Sequence, residues 1–250
     1  MKRKLIFGLI LVLVIGAVGF ALNLVGNPSQ PVSKFLQAAK ADTAVSINDR
    51  GGYIEIIPNT LQTAATKGII FYPGGLVTAE SYIYPWTQVS KLTNVPVYIA
   101  KMPLNLAILN MNAADKIIAD NPQIKSWIMS GHSLGGAMLS EYLKAGRNLP
   151  KIKALIFQAA FPNDDFLKTN SNLQILSLIG TKDGKITTLK SKEEAKKLPT
   201  QAIQTEITGM NHAQFGAYGK QSGDLSASIS NEDAWAEWTT IVAKFIDMIK

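Results

Sequence analysis

The chain has no cysteine. Disulfides, thiolate zinc sites, cysteine nucleophiles and an acylated lipoprotein terminus are therefore excluded. Histidine is almost as scarce. His132 and His212 are the only two among 250 residues, which leaves little imidazole for a metal centre. No G-x-x-x-x-G-K-[ST] or G-x-G-x-x-G pattern occurs, and no cofactor is implied. Arginine is rare, with only Arg50 and Arg147 beyond the N-terminus. The net charge of +7 comes from dispersed lysine, not from the clustered, arginine-rich stripe that nucleic-acid binding wants. The densest lysine patch, residues 182–197, is interrupted by Asp183, Glu193 and Glu194 and reads as a solvated helix face.

Charge is missing altogether from residues 5–22, eighteen apolar or glycine residues behind Lys2, Arg3 and Lys4. At about 1.5 Å per residue such a helix spans about 27 Å, enough to cross a bilayer. The best small-x-small site, Gly19-Phe20-Ala21, lies inside the apolar run, so the expectation is an uncleaved single-pass anchor. A cleaved secretion signal is the alternative. The leading positive charges place the N-terminus in the cytoplasm and the remainder outside. The expected organisation is an anchor or signal at 1–26, a linker at 27–42 opening on Asn27-Pro28-Ser29-Gln30-Pro31, and one domain at 43–250.

Within that domain strand-like and helix-like segments alternate. Strands are expected at 44–47 and 53–57, joined by a turn at Arg50-Gly51-Gly52, and then at 68–72, 95–100, 124–129, 152–157, 173–179 and 203–207. Helices are expected at 79–93 with a disturbance at Pro85, and at 113–120, 134–146, 188–198 and 232–249. The last carries Trp235, Trp238, Ile241, Phe245 and Met248 on one stripe. This alternation implies an α/β fold, a mostly parallel sheet covered by helices on both faces.

Gly131-His132-Ser133-Leu134-Gly135 matches G-x-S-x-G between an apolar strand and a helix, the context in which a serine is lifted above a sheet as a nucleophile. Gly131 and Gly135 are needed because side chains there would collide with the neighbouring strand and helix. Ser133 sits at a helix N-terminus, and the N–H of Leu134 is an expected oxyanion donor. His132 is adjacent on the same turn and points away from the serine. His212, in the loop after the last strand, is the expected base. Asp183 follows strand 173–179 and is the expected acid, with Asp164 and Asp165 as rivals. Pro73-Gly74-Gly75-Leu76 ends the third strand, where Gly75, or alternatively Leu76, supplies the second oxyanion N–H.

Four segments carry a resemblance: Phe71-Tyr72-Pro73-Gly74-Gly75-Leu76-Val77, Lys101-Met102-Pro103-Leu104-Asn105-Leu106-Ala107, Gly131 through Ala137, and Gly209-Met210-Asn211-His212-Ala213-Gln214-Phe215-Gly216. On these the chain resembles the α/β-hydrolases, and among them the small bacterial type 5 family related to dienelactone-hydrolase-like proteins. The resemblance spans most of residues 43–250. It implies a Ser133, Asp183, His212 triad and hydrolysis of an ester or related acyl bond in a small molecule, without a cofactor. An acyltransferase or peptidase with the same triad, or a non-catalytic surface-tethered binding module, are the alternatives. Only residues 161–172 separate two core strands where many relatives insert a cap, so no substantial cap domain is expected and the site should be open. The segment 101–107 has no role legible in its residues, and no residue pattern specifies an oligomeric state.

Overall fold

The computed structural model describes residues 26–61, 65–169 and 173–249. Eight strands form one sheet: β1 (Val45–Asp49), β2 (Tyr53–Pro58), β3 (Lys67–Tyr72), β4 (Val97–Ala100), β5 (Ser126–His132), β6 (Ile152–Gln158), β7 (Gln174–Gly180) and β8 (Ile203–Ile207). Their spatial order is β1-β2-β4-β3-β5-β6-β7-β8. The β1–β2 and β2–β4 pairs are antiparallel, and every pair from β4 to β8 is parallel. Parallel neighbours require crossovers, and helices provide most of them. The helices are α1 (Ser33–Ala41), α2 (Ile83–Thr93), α3 (Ala113–Asp120), α4 (Leu134–Lys144), α5 (Thr188–Ala195) and α6 (Asn231–Asp247).

Alternate residues along each strand feed two cores. Ile69, Phe71, Val97, Ile99, Ile128 and Ile156 face one side with Trp86 of α2 and Trp238 of α6. Ile70, Tyr72, Tyr98, Trp127, Met129 and Leu155 face the other with α3 and α4. Trp86 and Trp238 meet edge-on, ring centroids 5.1 Å apart. Truncating either to alanine costs about 3–5 kcal/mol.

Three expectations need correction. Residues 27–42 are not a plain linker. Ser29 donates its N–H to the Leu76 carbonyl at 2.8 Å and accepts from the Thr78 N–H at 3.1 Å, and Val32 bonds to Ala217. The helix α1 follows, with Phe35 and Ala39 buried one turn apart and Phe35 edge-on to Trp235 at 4.7 Å. The 79–93 segment breaks between a 3₁₀ turn, Ala79–Tyr82, and α2 rather than at Pro85. Pro85 lies in the first turn of α2, where its missing N–H has no intrahelical acceptor to satisfy. Met248 lies beyond the end of α6 and is exposed, and the buried stripe runs instead through Trp235, Trp238, Val242, Phe245 and Ile246.

Residues 161–172 contain one 3₁₀ turn, Phe166–Thr169, and no inserted cap among the described residues. No helix among the described residues is long and apolar enough to cross a membrane, and the apolar run at 5–22 lies outside them.

Candidate active site

The order β4-β3-β5 places successive crossovers on opposite sides of β3. The carboxyl ends of β3 and β5 therefore open a crevice, the usual ligand position in such sheets. Pro73, Gly74 and Gly75 leave β3 there, and Ser133 leaves β5.

Ser133 has φ 50° and ψ −122°, a strained conformation for a residue with a Cβ. Its N–H bonds to the Gln158 carbonyl at 3.0 Å, and its own carbonyl accepts from Gly136 and Ala137 as α4 starts. The turn closes only because its flanks are bare. A Cβ on Gly131 would lie 2.5 Å from the Gly136 nitrogen, and one on Gly135 would lie 2.1 Å from the Tyr72 carbonyl oxygen.

Asp183 and His212 are both buried. His212 Nδ1 and Asp183 Oδ2 are 2.8 Å apart. The other carboxylate oxygen, Oδ1, accepts the N–H groups of Lys185 at 2.8 Å and Ile186 at 2.7 Å. The acid is thus held by its own turn with one oxygen turned to the imidazole. The rivals lie elsewhere. Asp164 pairs with Lys144 and Asp165 with Lys168, both exposed and neither bonded to His212. Ser133 and His212 share the wall of one cleft of about 390 Å³ with Leu134, Ala159 and Phe161. No hydrogen bond joins the Ser133 hydroxyl to His212, and catalytic contacts of this kind often tighten only when substrate binds.

The two glycine-loop candidates separate cleanly. Leu76 is not an available oxyanion donor, because its N–H bonds to the Asn105 carbonyl at 2.8 Å. The N–H groups of Gly75 and Leu134 meet no acceptor among the described residues. The Asn105 bond also gives segment 101–107 a role: Leu104 and Asn105 take positive φ of 52° and 56° so that the Asn105 carbonyl can reach the glycine loop. Together with the Ser29 bond, this pins Leu76 from both sides.

Several supporting residues escaped the sequence reading. Tyr82 accepts from the Gly74 N–H at 3.1 Å and lies 2.8 Å from His132 Nδ1. His132 in turn stacks on His212 with centroids 4.6 Å apart. Burial and the neighbouring His212 hold the His132 pKa well below its ordinary value, while burial pushes the Tyr82 hydroxyl up. A neutral tyrosine–histidine pair thus connects the glycine loop, the serine turn and His212. Asp224 accepts from Gly184 at 2.8 Å with one oxygen and from Ala213 at 2.9 Å with the other. It clamps the Asp183 turn to the His212 loop. Asn211 and Gln214 exchange side chain-to-backbone bonds across His212, at 3.0 and 3.1 Å. That N-x-x-Q spacing is the signature of a capping box, and it was readable in the sequence. Asp224 has no comparable signal. Among the described residues no group of His, Asp and Glu could hold a metal ion.

A doubly covered α/β sheet with a strained serine turn at its switch point and an Asp–His pair beside it defines the class. Residues 68–236 match the α/β hydrolase family, and the chain belongs to that family. No curated protein sequence matches it. Solved structures with the same fold include a predicted CIB-like hydrolase of Thermoplasma acidophilum, at 14% identity and TM-score 0.57 over 80% of this chain and 97% of that one. A hyperthermophilic esterase of Pyrobaculum calidifontis is 13% identical with TM-score 0.58 over 86% and 88%. A thermostable esterase of Pseudomonas putida is 13% identical with TM-score 0.59 over 87% and 88%.

Proposed function

We propose that the protein is a serine hydrolase that cleaves an ester or related acyl bond through an acyl-enzyme on Ser133. The observation that carries this reading is the Asp183–His212 hydrogen bond in the cleft that also holds the strained serine. His212 Nε2 takes the Ser133 proton while its Nδ1–H is donated to Asp183, which holds the tautomer and ring orientation. Ser133 Oγ then attacks the carbonyl carbon. The N–H groups of Gly75 and Leu134 receive the developing oxyanion. The alcohol leaves with the proton from His212, and water, activated by the same base, releases the acid. The short 161–172 connection leaves the cleft open, which suits small soluble acyl substrates rather than a lid-gated lipase.

Residues 1–26 are proposed as an uncleaved anchor that holds this domain on the outer side of a membrane. The support is the uncharged run at 5–22 behind three positive charges.

The catalytic assignment is tested by ester hydrolysis of the full chain in neutral detergent. Ser133→Ala and His212→Ala lose roughly 10³- to 10⁶-fold in kcat. Asp183→Asn loses about 10⁴-fold, whereas Asp164→Asn and Asp165→Asn stay near wild type. An Asp165→Asn enzyme as crippled as Asp183→Asn would overturn the assignment of the acid.

A further inference from the structure

The hydrolase reading leaves the substrate open, and the charge around the cleft narrows it. Most lysines of the described chain are neutralised or bonded. Lys91 pairs with Asp42, Lys101 with Asp49, Lys116 with Asp120, Lys144 with Asp164, and Lys197 with Glu194. Lys67, Lys125 and Lys153 bond to backbone carbonyls. Lys182, Lys185, Lys190 and Lys192 have neither an ion pair nor a side-chain hydrogen bond, and they fall within eleven consecutive residues, the Asp183 turn and the start of α5.

Two of these four, Lys185 and Lys190, line the cleft that holds Ser133 and His212. None of the nearby carboxylates forms an ion pair with either lysine. Asp183 gives one oxygen to His212 and the other to backbone N–H groups. Asp224 is occupied by Gly184, Ala213 and Leu225. Glu194, the acid on the cleft wall, already pairs with Lys197 at 2.5 Å. Ala159, Ala160, Phe161 and Pro162, which also line the cleft, carry no charge. The cleft thus combines an apolar stretch with two cations that have no ion-pair partner. Unpaired cations at a cleft raise the local concentration of anions and favour their binding.

We propose that the substrate is an anionic ester, with a carboxylate or phosphate on the acyl or alcohol part directed at Lys185 and Lys190 and an apolar portion against Phe161. Lys185 and Lys190 are then specificity-determining residues. They do not take part in the bond-breaking steps, which remain those of Ser133, His212 and Asp183. Of the lysine patch read from the sequence as a solvated helix face, Lys185, Lys190 and Lys197 line the cleft.

This inference rests on the serine-hydrolase reading, and one experiment separates the two. The full chain in neutral detergent is treated with two fluorophosphonates of equal length, one ending in a carboxylate and the other in its methyl ester, and the second-order rate of Ser133 modification is measured. The carboxylate probe should react faster, by about tenfold at low ionic strength. Its advantage should fade near 1 M salt, where the screening length drops to about 3 Å. In a Lys185→Gln/Lys190→Gln double variant the ratio of the two rates should fall toward one. A Lys40→Gln/Lys244→Gln double variant, which removes two equally unpaired lysines outside the cleft, should keep the wild-type ratio. Equal rates for the two probes, or a ratio unchanged by Lys185→Gln/Lys190→Gln, overturn the anionic substrate and leave the hydrolase intact. Failure of both probes to modify Ser133 overturns the hydrolase reading, and this inference with it.

Discussion

At the scale of single residues, strain collects at the site. Of the non-glycine residues with positive φ among the described residues, Leu76, Ser133 and Ala159 border the cleft or its glycine loop, and Leu104 and Asn105 form the loop that pins it. Asn94 and Asn148 are the exceptions, and asparagine tolerates that region. Backbone held in costly conformations persists where the surroundings over-determine it. The serine turn was legible because glycines two positions either side of a serine announce a close approach. The unavailability of Leu76 was not legible, since it depends on a carbonyl 29 residues away in sequence. The buried His132 gives a prediction in pH. Its folded pKa lies well below the unfolded value of about 6.5, so below that pH the unfolded chain binds the extra proton and the folded state does not. Stability should fall on acidification by up to about 1.4 kcal/mol per pH unit from this residue. His132→Asn, whose amide can still bond to Tyr82, should show a shallower loss between pH 7 and pH 5 in thermal melts. A variant slope as steep as wild type would show that His132 does not contribute.

At the scale of elements, the expected strands were all present because buried parallel strands read as short apolar runs bounded by turns. The start of β4 came two residues late, at Val97 after Pro96, and β5 ran on through His132. The helix α1 was missed although Ser33–Ala41 is rich in good helix formers. The Pro28 and Pro31 punctuation before it read as linker, and no side-chain cap marks its start. The clamp between loops was invisible for a different reason: Asp224 acts through two backbone N–H groups contributed by separate loops. Asp224→Asn places an amide donor against one of those N–H groups, leaving it buried without an acceptor, at about 1–3 kcal/mol. The expected result is a lower melting temperature and a fall in kcat of roughly 10- to 100-fold, since misplacement of the base by small distances is costly, with KM little changed. Asp224→Glu, which keeps two acceptor oxygens, should recover part of kcat. A kcat unaffected by Asp224→Asn, whatever its melting temperature, would mean that the clamp does not position His212.

At the scale of the whole molecule, the sheet order and its switch point put the serine, the glycine loop and the Asp–His pair at one edge. The N-terminal segment reaches that edge as well, because Ser29 bonds to Leu76 and Thr78 where the chain leaves the glycine loop. Two truncations should therefore behave differently. Removing residues 1–26 should release a soluble, active enzyme from the membrane fraction. Removing residues 1–42 deletes Ser29 and α1, and should lower both stability and activity. Equal activity of the two truncated forms would show that the segment 27–42 contributes nothing to the site. Protease added to cells without an outer barrier should remove the domain from the full-length protein, and protection would contradict the outward orientation.

The proposed function rests on Ser133 as the nucleophile, activated by His212. It is tested most directly by locating the adduct formed when the folded protein is treated with a neutral fluorophosphonate and mapped by peptide mass spectrometry. One adduct is expected, on Ser133, formed far more slowly in His212→Ala and absent from Ser133→Ala and from the unfolded chain. An adduct on another residue, or labelling at the wild-type rate without His212, would contradict it.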